Sequence, residues 1–394
     1  MNTFALAAEI VTSLLTASGI AYSLLALIAA RRFRGEAASA RERATATAVG
    51  NAEFAPPISI LKPIKGLDPR MYAGLASHCA QSYAGEFEIL FGVSSLADPA
   101  VAEIARLRVE FPAVSIRLIE CPQRLGSNGK LSNLAQMLPH ARFEHILVND
   151  SDILVSPGYL AHVAAPFRDA RVGLVTAPYI GQAAPTLWSR LEALGISTDF
   201  IPGALVARML EHGLRFGLGS TLATTRTALA AIGGFEALTD QLADDYELGA
   251  RLHRAGFRVE LLHEIVATSV PAYSFRGFCD HQLRWARSTR DSRRAGYLGL
   301  GVTYVIPWAF VTVITSGLAL WSLTLFSLAL LVRIAVALSV GVGVLRDGQV
   351  LRDMLLLPLR DAFGLLFWAW SYAADTVVWR GERFRLRRGR LTPA

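Results

Sequence analysis

The chain has 394 residues, 53% of them hydrophobic and 18% charged, with a formal net charge of +7. That composition is too apolar for one soluble domain of this size, and the length suits one catalytic domain plus membrane segments. The positive excess flanks apolar stretches, at Arg31, Arg32 and Arg34 and again from Arg380 to Arg390, which favours a lipid bilayer as partner and argues against nucleic acid.

Residues 4–30 carry one charge, Glu9, and are longer than the roughly 20 apolar residues a helix needs to cross a bilayer. With no basic stretch before them, they read as an uncleaved anchor over 1–34. The arginines that follow place the next domain in the cytoplasm. Residues 35–55, small and polar, read as a linker.

The region 56–290 alternates short apolar strands with helical stretches. Strands are predicted at 58–62, 88–94, 114–119, 145–149 and 172–177, and helices near 69–81, 98–110, 129–138 and 157–168. This is the pattern of an α/β fold with a mostly parallel sheet covered on both faces. Such sheets bind ligands beyond the carboxyl ends of their strands. A second apolar block, 299–345, breaks near Ser316 and Gly317 and accommodates two spans, so 291–353 reads as two transmembrane helices. Residues 354–379 carry Pro358, Arg360, Asp361 and Asp375. A third full span there would carry the basic tail outside, so 354–394 reads as a re-entrant or interfacial segment with a basic tail. The apolar stretch 185–212 suits either an acceptor groove or ordinary core packing. Cys79, Cys121 and Cys279 lack CxxC spacing, which argues against a zinc site or a disulfide framework.

The chemistry clusters after the strands. Asn149-Asp150-Ser151-Asp152 ends the run HILVN. Two carboxylates separated by one residue on extended chain point the same way, and hard oxygens suit Mg2+ or Mn2+ on a diphosphate. A turn or cap is the plain alternative. Asp98 follows the second strand, as a nucleotide ligand or as the cap of the next helix. Four acids, Asp240, Asp244, Asp245 and Glu247, surround the start of another helix. His281, Arg284 and Trp285 fall within seven residues; they suit an anionic leaving group and a sugar or lipid platform, or else an amphipathic interfacial helix. The chain has three lysines, Lys62, Lys65 and Lys130, all in this polar middle region, where a compact ammonium suits substrate phosphates.

Taken in order, LKPIKGLDP (61–69), Asp98, Asp150, Asp245 in DDYELG, and Arg284-Trp285 resemble the D, D, D, (Q/R)xxRW pattern of the ceramide glucosyltransferase family. The tail at 379–389 is similar to the family's C-terminal segment. GGFEALTDQLADDYELG and HQLRWARSTR are similar in wording to bacterial hopanoid-associated glycosyltransferases. One departure is His281, which stands at the Q/R position.

The resemblance implies an inverting GT-A (Rossmann-like) nucleotide-sugar-binding domain with transmembrane helices. It implies transfer of glucose or N-acetylglucosamine from a UDP-sugar to a membrane lipid, a hopanoid polyol or ceramide, in a bacterial inner membrane. Asp245 would be the general base, with Arg284 and Trp285 beside it as catalytic residues. Asp150 and Asp152 would hold Mg2+ or Mn2+. Lys62, Lys65, Asp98, Lys130, Asp150 and His281 would bind the donor. The competing readings are a processive polysaccharide synthase, which usually carries more spans, and a non-catalytic membrane-tethered module that binds sugar nucleotides.

Overall fold

The computed structural model describes residues 3–47, 54–68, 70–379 and 382–393. Residues 48–53 of the expected linker, Pro69, and Arg380 and Gly381 of the tail lie outside the described residues. The chain divides into a sheet unit (Ser39–Gln182, Leu210–Pro271, Arg387–Ala394) and a helical unit (Met1–Ala38, Ala183–Met209, Ala272–Leu386).

In the sheet unit, the runs ISILKP and FEILFGV are buried along nearly their whole length, as strands covered on both faces must be. They form β1 (Ile58–Pro63) and β2 (Phe87–Val93), followed by β3 (Ser115–Glu120), β4 (His145–Val148), β5 (Val172–Thr176), β6 (Tyr179–Ala183), β7 (Leu222–Thr225), β8 (Arg258–Leu261) and β9 (Val266–Val270). Seven of these make one sheet in the order β3-β2-β1-β4-β7-β5-β8. The expected strands are β1 to β5, joined by helices Met71–Cys79, Ala100–Glu110, Gly129–Met137 and Tyr159–Ala164. The sequence did not announce β7, whose short LATT run lies antiparallel between β4 and β5. The sheet is therefore mixed, with parallel pairing at β1-β2, β1-β4, β2-β3 and β5-β8. β6 and β9 form a separate two-stranded sheet.

The first helix runs Thr3–Thr47, with its residues up to Ala38 in the helical unit. It passes through most of the stretch expected as linker, because that stretch is rich in Ala, Arg and Glu, all good helix formers. Three helices are long and apolar enough to cross a membrane: Ala5–Ser39, Leu187–Leu210 and Leu320–Val342. The second coincides with the stretch left open between groove and core. A further pair, Arg294–Thr303 and Val305–Thr315, is bent by 56°. The expected break at Ser316 and Gly317 is a turn with left-handed backbone at Gly317 and Leu318. Within 354–379 the chain forms the helix Leu357–Ser371, with Pro358 in its first turn, where a missing N–H does no harm. Its 15 residues span about 22 Å, short of the ~30 Å hydrocarbon core. Strands Thr376–Trp379 and Glu382–Arg387 then pair antiparallel.

A buried charge cluster ties three of these helices together. Arg333 donates from Nε to both oxygens of Asp361 at 3.1 and 3.0 Å, and from Nη2 to Asp361 at 2.8 Å and Asp199 at 2.7 Å. Its Nη1 reaches the Thr198 carbonyl at 2.9 Å. Thr198 and Asp199 sit in a π-helical turn, Ile196–Phe200, inside the 187–210 segment. Removing one partner of such a cluster strands a buried charge, at a cost of about 3–5 kcal/mol. The melting temperature of the detergent-purified Arg333→Met variant should therefore drop sharply. The Arg333→Met/Asp361→Leu double variant should recover most of the loss, since Asp199 keeps Arg360 at 3.3 Å.

Candidate functional site

The loop after β4 is fixed from below. Asn149 is fully buried, and its Nδ2 donates to the Ser220 carbonyl at 2.8 Å and to Tyr159 Oη at 2.9 Å. Lys62, the fifth residue of β1, is equally buried; its Nζ donates to the Asp150 carbonyl at 3.1 Å. Ser151 donates its hydroxyl to Asp68. Burial pushes the Lys62 ammonium down to about 7, against the opposing pull of Asp150 and Asp152. Lys62 was expected at substrate phosphates, but its ammonium is enclosed beneath the loop and supports the backbone there. Lys65, four positions from the start of the LKPIKG run, is exposed.

The two carboxylates of the DxD element have different surroundings. Asp150 is 46% exposed, and its Oδ1 lies 2.8 Å from Lys130 Nζ. Asp152 is turned inward: its Oδ2 accepts from the Thr268 hydroxyl at 2.6 Å and from the Ser269 N–H at 2.8 Å. Burial raises its affinity for a proton, with those two hydrogen bonds working against the shift. Among the described residues no three His, Cys, Asp or Glu side chains converge as a metal-binding group. The exposed Asp150 carboxylate nevertheless fits a Mg2+-like ion of the kind held by one or two carboxylates, with phosphates and waters completing the shell.

Lys130 is the second residue of the helix Gly129–Met137, whose cap is Asn128: its Oδ1 accepts from the Leu131 N–H at 3.2 Å. The same asparagine donates from Nδ2 to the Gln241 carbonyl at 2.8 Å, and its N–H reaches the Thr239 carbonyl at 2.7 Å. That bonding binds the Lys130 loop to the segment before the helix Asp244–Arg254. The C-terminal tail fastens the same segment. Leu391 N–H donates to the Asp240 carbonyl at 2.7 Å, and Leu242 N–H to the Gly389 carbonyl at 3.0 Å. Lys130 Nζ consequently lies 3.2 Å from Asp244 Oδ2 as well as 2.8 Å from Asp150. Burial would lower its proton affinity, but Asp150 and Asp244 outweigh that and raise it.

Asp245 sits beside this bridge. Its Oδ1 accepts from the Tyr246 N–H at 2.8 Å. A Cβ at Gly219 would come within 3.0 Å of its Oδ2, so the missing side chain there leaves the carboxylate its space. Burial, then the neighbouring Asp244, pushes its carboxyl up to about 6, while Lys130 pulls the other way. A carboxylate with that proton affinity is matched to taking a proton near neutral pH.

Asp98 serves the backbone. Its oxygens accept from the Gly66 N–H at 2.9 and 3.1 Å and from the Ala100 N–H at 2.9 Å. It holds the first N–H of the helix Ala100–Glu110, whose N-cap is Pro99, and the loop after β1, where Gly66 has φ of 71°. The sheet unit thus gathers Lys62, Lys130, Asp150, Asp152 and Asp245 around the ends of β1 and β4. Asp68 and Asp244 belong to the same cluster; the density of acids near 240–247 signalled Asp244, and Asp68 lay within the LKPIKGLDP run without being named as a site residue.

His281, Arg284 and Trp285 belong to the helical unit, on the helix Phe275–Ser292. The His281 ring lies 5.1 Å from that of Trp285, which meets Phe200 at 6.1 Å. His281 Nδ1 is 2.9 Å from Glu192 Oε2, a partner that sequence reasoning passed over. Its one signal was a lone acid in the apolar helix LWSRLEALG.

The chain is similar over 93% of its length to a solved mannosyltransferase from Pyrobaculum calidifontis in complex with GDP-Man and Mn2+, at 19% identity, TM-score 0.55 and 97% of that chain covered; the likeness is one of GT-A fold. It is 26% identical over 233 residues to ceramide glucosyltransferase 3 of Caenorhabditis elegans, covering 59% of this chain and 50% of that protein. It is 33% identical over 108 residues to a ceramide glucosyltransferase of Komagataella phaffii, covering 26% and 21%. The chain spans half or less of the length of these curated relatives. Glycosyl transferase family 21 matches residues 11–392, nearly the whole chain, and the chain belongs to that family.

Proposed function

We propose that the chain transfers a hexose, glucose or N-acetylglucosamine, from a UDP-sugar to a hydroxyl of a membrane lipid of the hopanoid-polyol or ceramide class, with inversion. The observation that carries this reading is the Asp245 carboxyl, pushed up to about 6 by desolvation and by Asp244, beside the Lys130 bridge between Asp150 and Asp244. Membership of family 21 and the ceramide glucosyltransferase names of the curated relatives support the substrate class.

In the proposed reaction Asp245 takes the proton of the acceptor hydroxyl as its oxygen bonds to the anomeric carbon. The bond from that carbon to the diphosphate breaks, and UDP leaves. Lys130 stabilises the charge gathering on UDP, and the family pattern assigns Arg284 a catalytic role. Lys65 meets the phosphates, and Asp98 presents the loop after β1 to the nucleotide by fixing Gly66. Lys62 acts as a positioning residue under the Asp150 loop. Trp285 frames the acceptor. Asp150, backed by Asp152, would hold Mg2+ or Mn2+, which as a Lewis acid would offset diphosphate charge. The Mn2+ of the Pyrobaculum mannosyltransferase complex is consistent with this. The apolar helices would sit in a bacterial inner membrane, with Arg31, Arg32 and Arg34 on the cytoplasmic side together with the sheet unit.

Kinetics of the purified chain with UDP-sugar and lipid test the assignment of the base. Asp245→Asn should lower kcat by about 10²–10⁴-fold and leave the KM for donor nearly unchanged; an unchanged kcat overturns the role. Because the base must be deprotonated, kcat/KM should fall as pH drops through about 6. Lys130 holds the Asp245 carboxyl down, so Lys130→Gln should move that acid limb to higher pH, visible in the pH–rate profile.

A further inference from the structure

Arginines from two elements of the helical unit come together, and the proposed reaction uses none of them. The helix Phe275–Ser292 and the two residues after it carry Arg287, Arg290, Arg293 and Arg294. Arg287 and Arg290 are three apart and so share a helix face. The strand Glu382–Arg387 adds Arg383 and Arg385. Its Phe384 and Leu386 are buried, so the alternation turns both arginines outward, and both are exposed. Hydrogen bonds join the two elements. Arg287 Nη1 donates to the Thr376 carbonyl, and Thr376 stands directly opposite Arg385 across the hairpin. Arg290 donates to the Ser371 carbonyl and pairs with Asp375, whose own carbonyl accepts from the Leu386 N–H at 2.7 Å. Asp291 lies 3.5 Å from Arg294, which keeps 74% of its side chain exposed. Asp280, two turns before Arg287, lies 4.0 Å from Arg276. With Glu382 counted, the six arginines face three acids, Asp291, Asp375 and Glu382, and the surface is positive.

Its surroundings are those of a bilayer interface. Trp370 and Tyr372 are 54% and 48% exposed, and the Arg290 guanidinium lies 5.7 Å from the centre of the Tyr372 ring. Exposed Trp and Tyr concentrate at membrane–water interfaces. The next helix, Arg294–Thr303, is bent by 56° from the apolar helix Val305–Thr315 and shows an exposed Leu298 one turn after Arg294. Transmembrane helices tilt by up to ~40° from the membrane normal. A bend larger than that turns Arg294–Thr303 toward the membrane plane, the placement of an amphipathic interfacial helix.

We propose that this face binds anionic phospholipids, at a site separate from the lipid that accepts sugar. Arg287, Arg293, Arg294, Arg383 and Arg385 meet the headgroup phosphates, whose oxygens match the guanidinium fork. Trp370 and Tyr372 lie at the headgroup level. Arg290 is a positioning residue that ties the helix to the Ser371–Asp375 segment. The site favours lipids of net negative charge over zwitterionic ones. It concerns a lipid that is not consumed, so it stands apart from the transferase reading.

The test titrates the full chain in a neutral detergent with phosphatidylglycerol, phosphatidylcholine or inorganic phosphate and follows its melting temperature. Phosphatidylglycerol should raise it, and added salt should weaken the rise, because exposed charges are screened. Phosphatidylcholine and inorganic phosphate at the same concentration should leave it unchanged. Arg383→Gln/Arg385→Gln should need about fivefold more phosphatidylglycerol for each arginine removed. Arg294→Gln, on the other element, should need about fivefold more. Arg383→Lys/Arg385→Lys keeps the charge and should keep most of the response. A full response in the glutamine variants, or an equal rise with phosphatidylcholine, overturns the site. A rise with inorganic phosphate as large as with phosphatidylglycerol marks a free-anion site and overturns the assignment to a lipid.

Discussion

One ammonium organises the sheet unit's chemistry. Lys130 lies 2.8 Å from Asp150 and 3.2 Å from Asp244, at the meeting of three segments that are far apart in sequence. Without that cation, the acids of the DxD loop and of the 244–254 helix would repel one another in a poorly solvated space. With it, Asp150 is held partly exposed, and burial and Asp244 push the adjacent Asp245 carboxyl up to about 6. The geometry depends on Asn128, which caps the Lys130 helix and bonds the backbone at Thr239 and Gln241. It depends too on the C-terminal tail, which pins the same stretch through Leu391 and Gly389. A tail that looks like a basic appendage thereby belongs to the scaffold of the acid cluster.

The helical unit solves a different problem. Burying charge in an apolar bundle is costly unless each group is paired. Arg333 meets this by serving Asp361, Asp199 and the Thr198 carbonyl together. The π-helical turn at Ile196–Phe200 that presents Asp199 also brings Phe200 to Trp285. A structural cluster and an aromatic wall are thus two faces of one local departure from α-helical geometry. Glu192 lies one turn before it and holds His281, the point where the sequence leaves the family pattern, with its Oε2 at 2.9 Å from Nδ1.

Much of this was legible in the residues. Apolar runs such as ISILKP and FEILFGV, bounded by turns, announced β1 and β2. Short LATT did not announce β7, because four residues of small and β-branched side chains fit many contexts. The 35–47 stretch misled for a physical reason: small polar residues suggest a linker, but Ala and Arg also favour helix. Asp150 and Asp245 were readable from local acid patterns. The enclosure of Lys62, the backbone service of Asp98 and the Glu192–His281 pair were not, because each depends on contacts between segments distant in sequence.

The account stands or falls on the product of the reaction. An α-linked UDP-sugar and a lipid diol would be incubated with the purified chain, and the glycolipid examined by mass spectrometry and by the proton coupling of its anomeric carbon. A single displacement assisted by Asp245 predicts one sugar added per lipid, in the β configuration. An α-linked glycolipid, a long polymer, or sugar released only to water would contradict it.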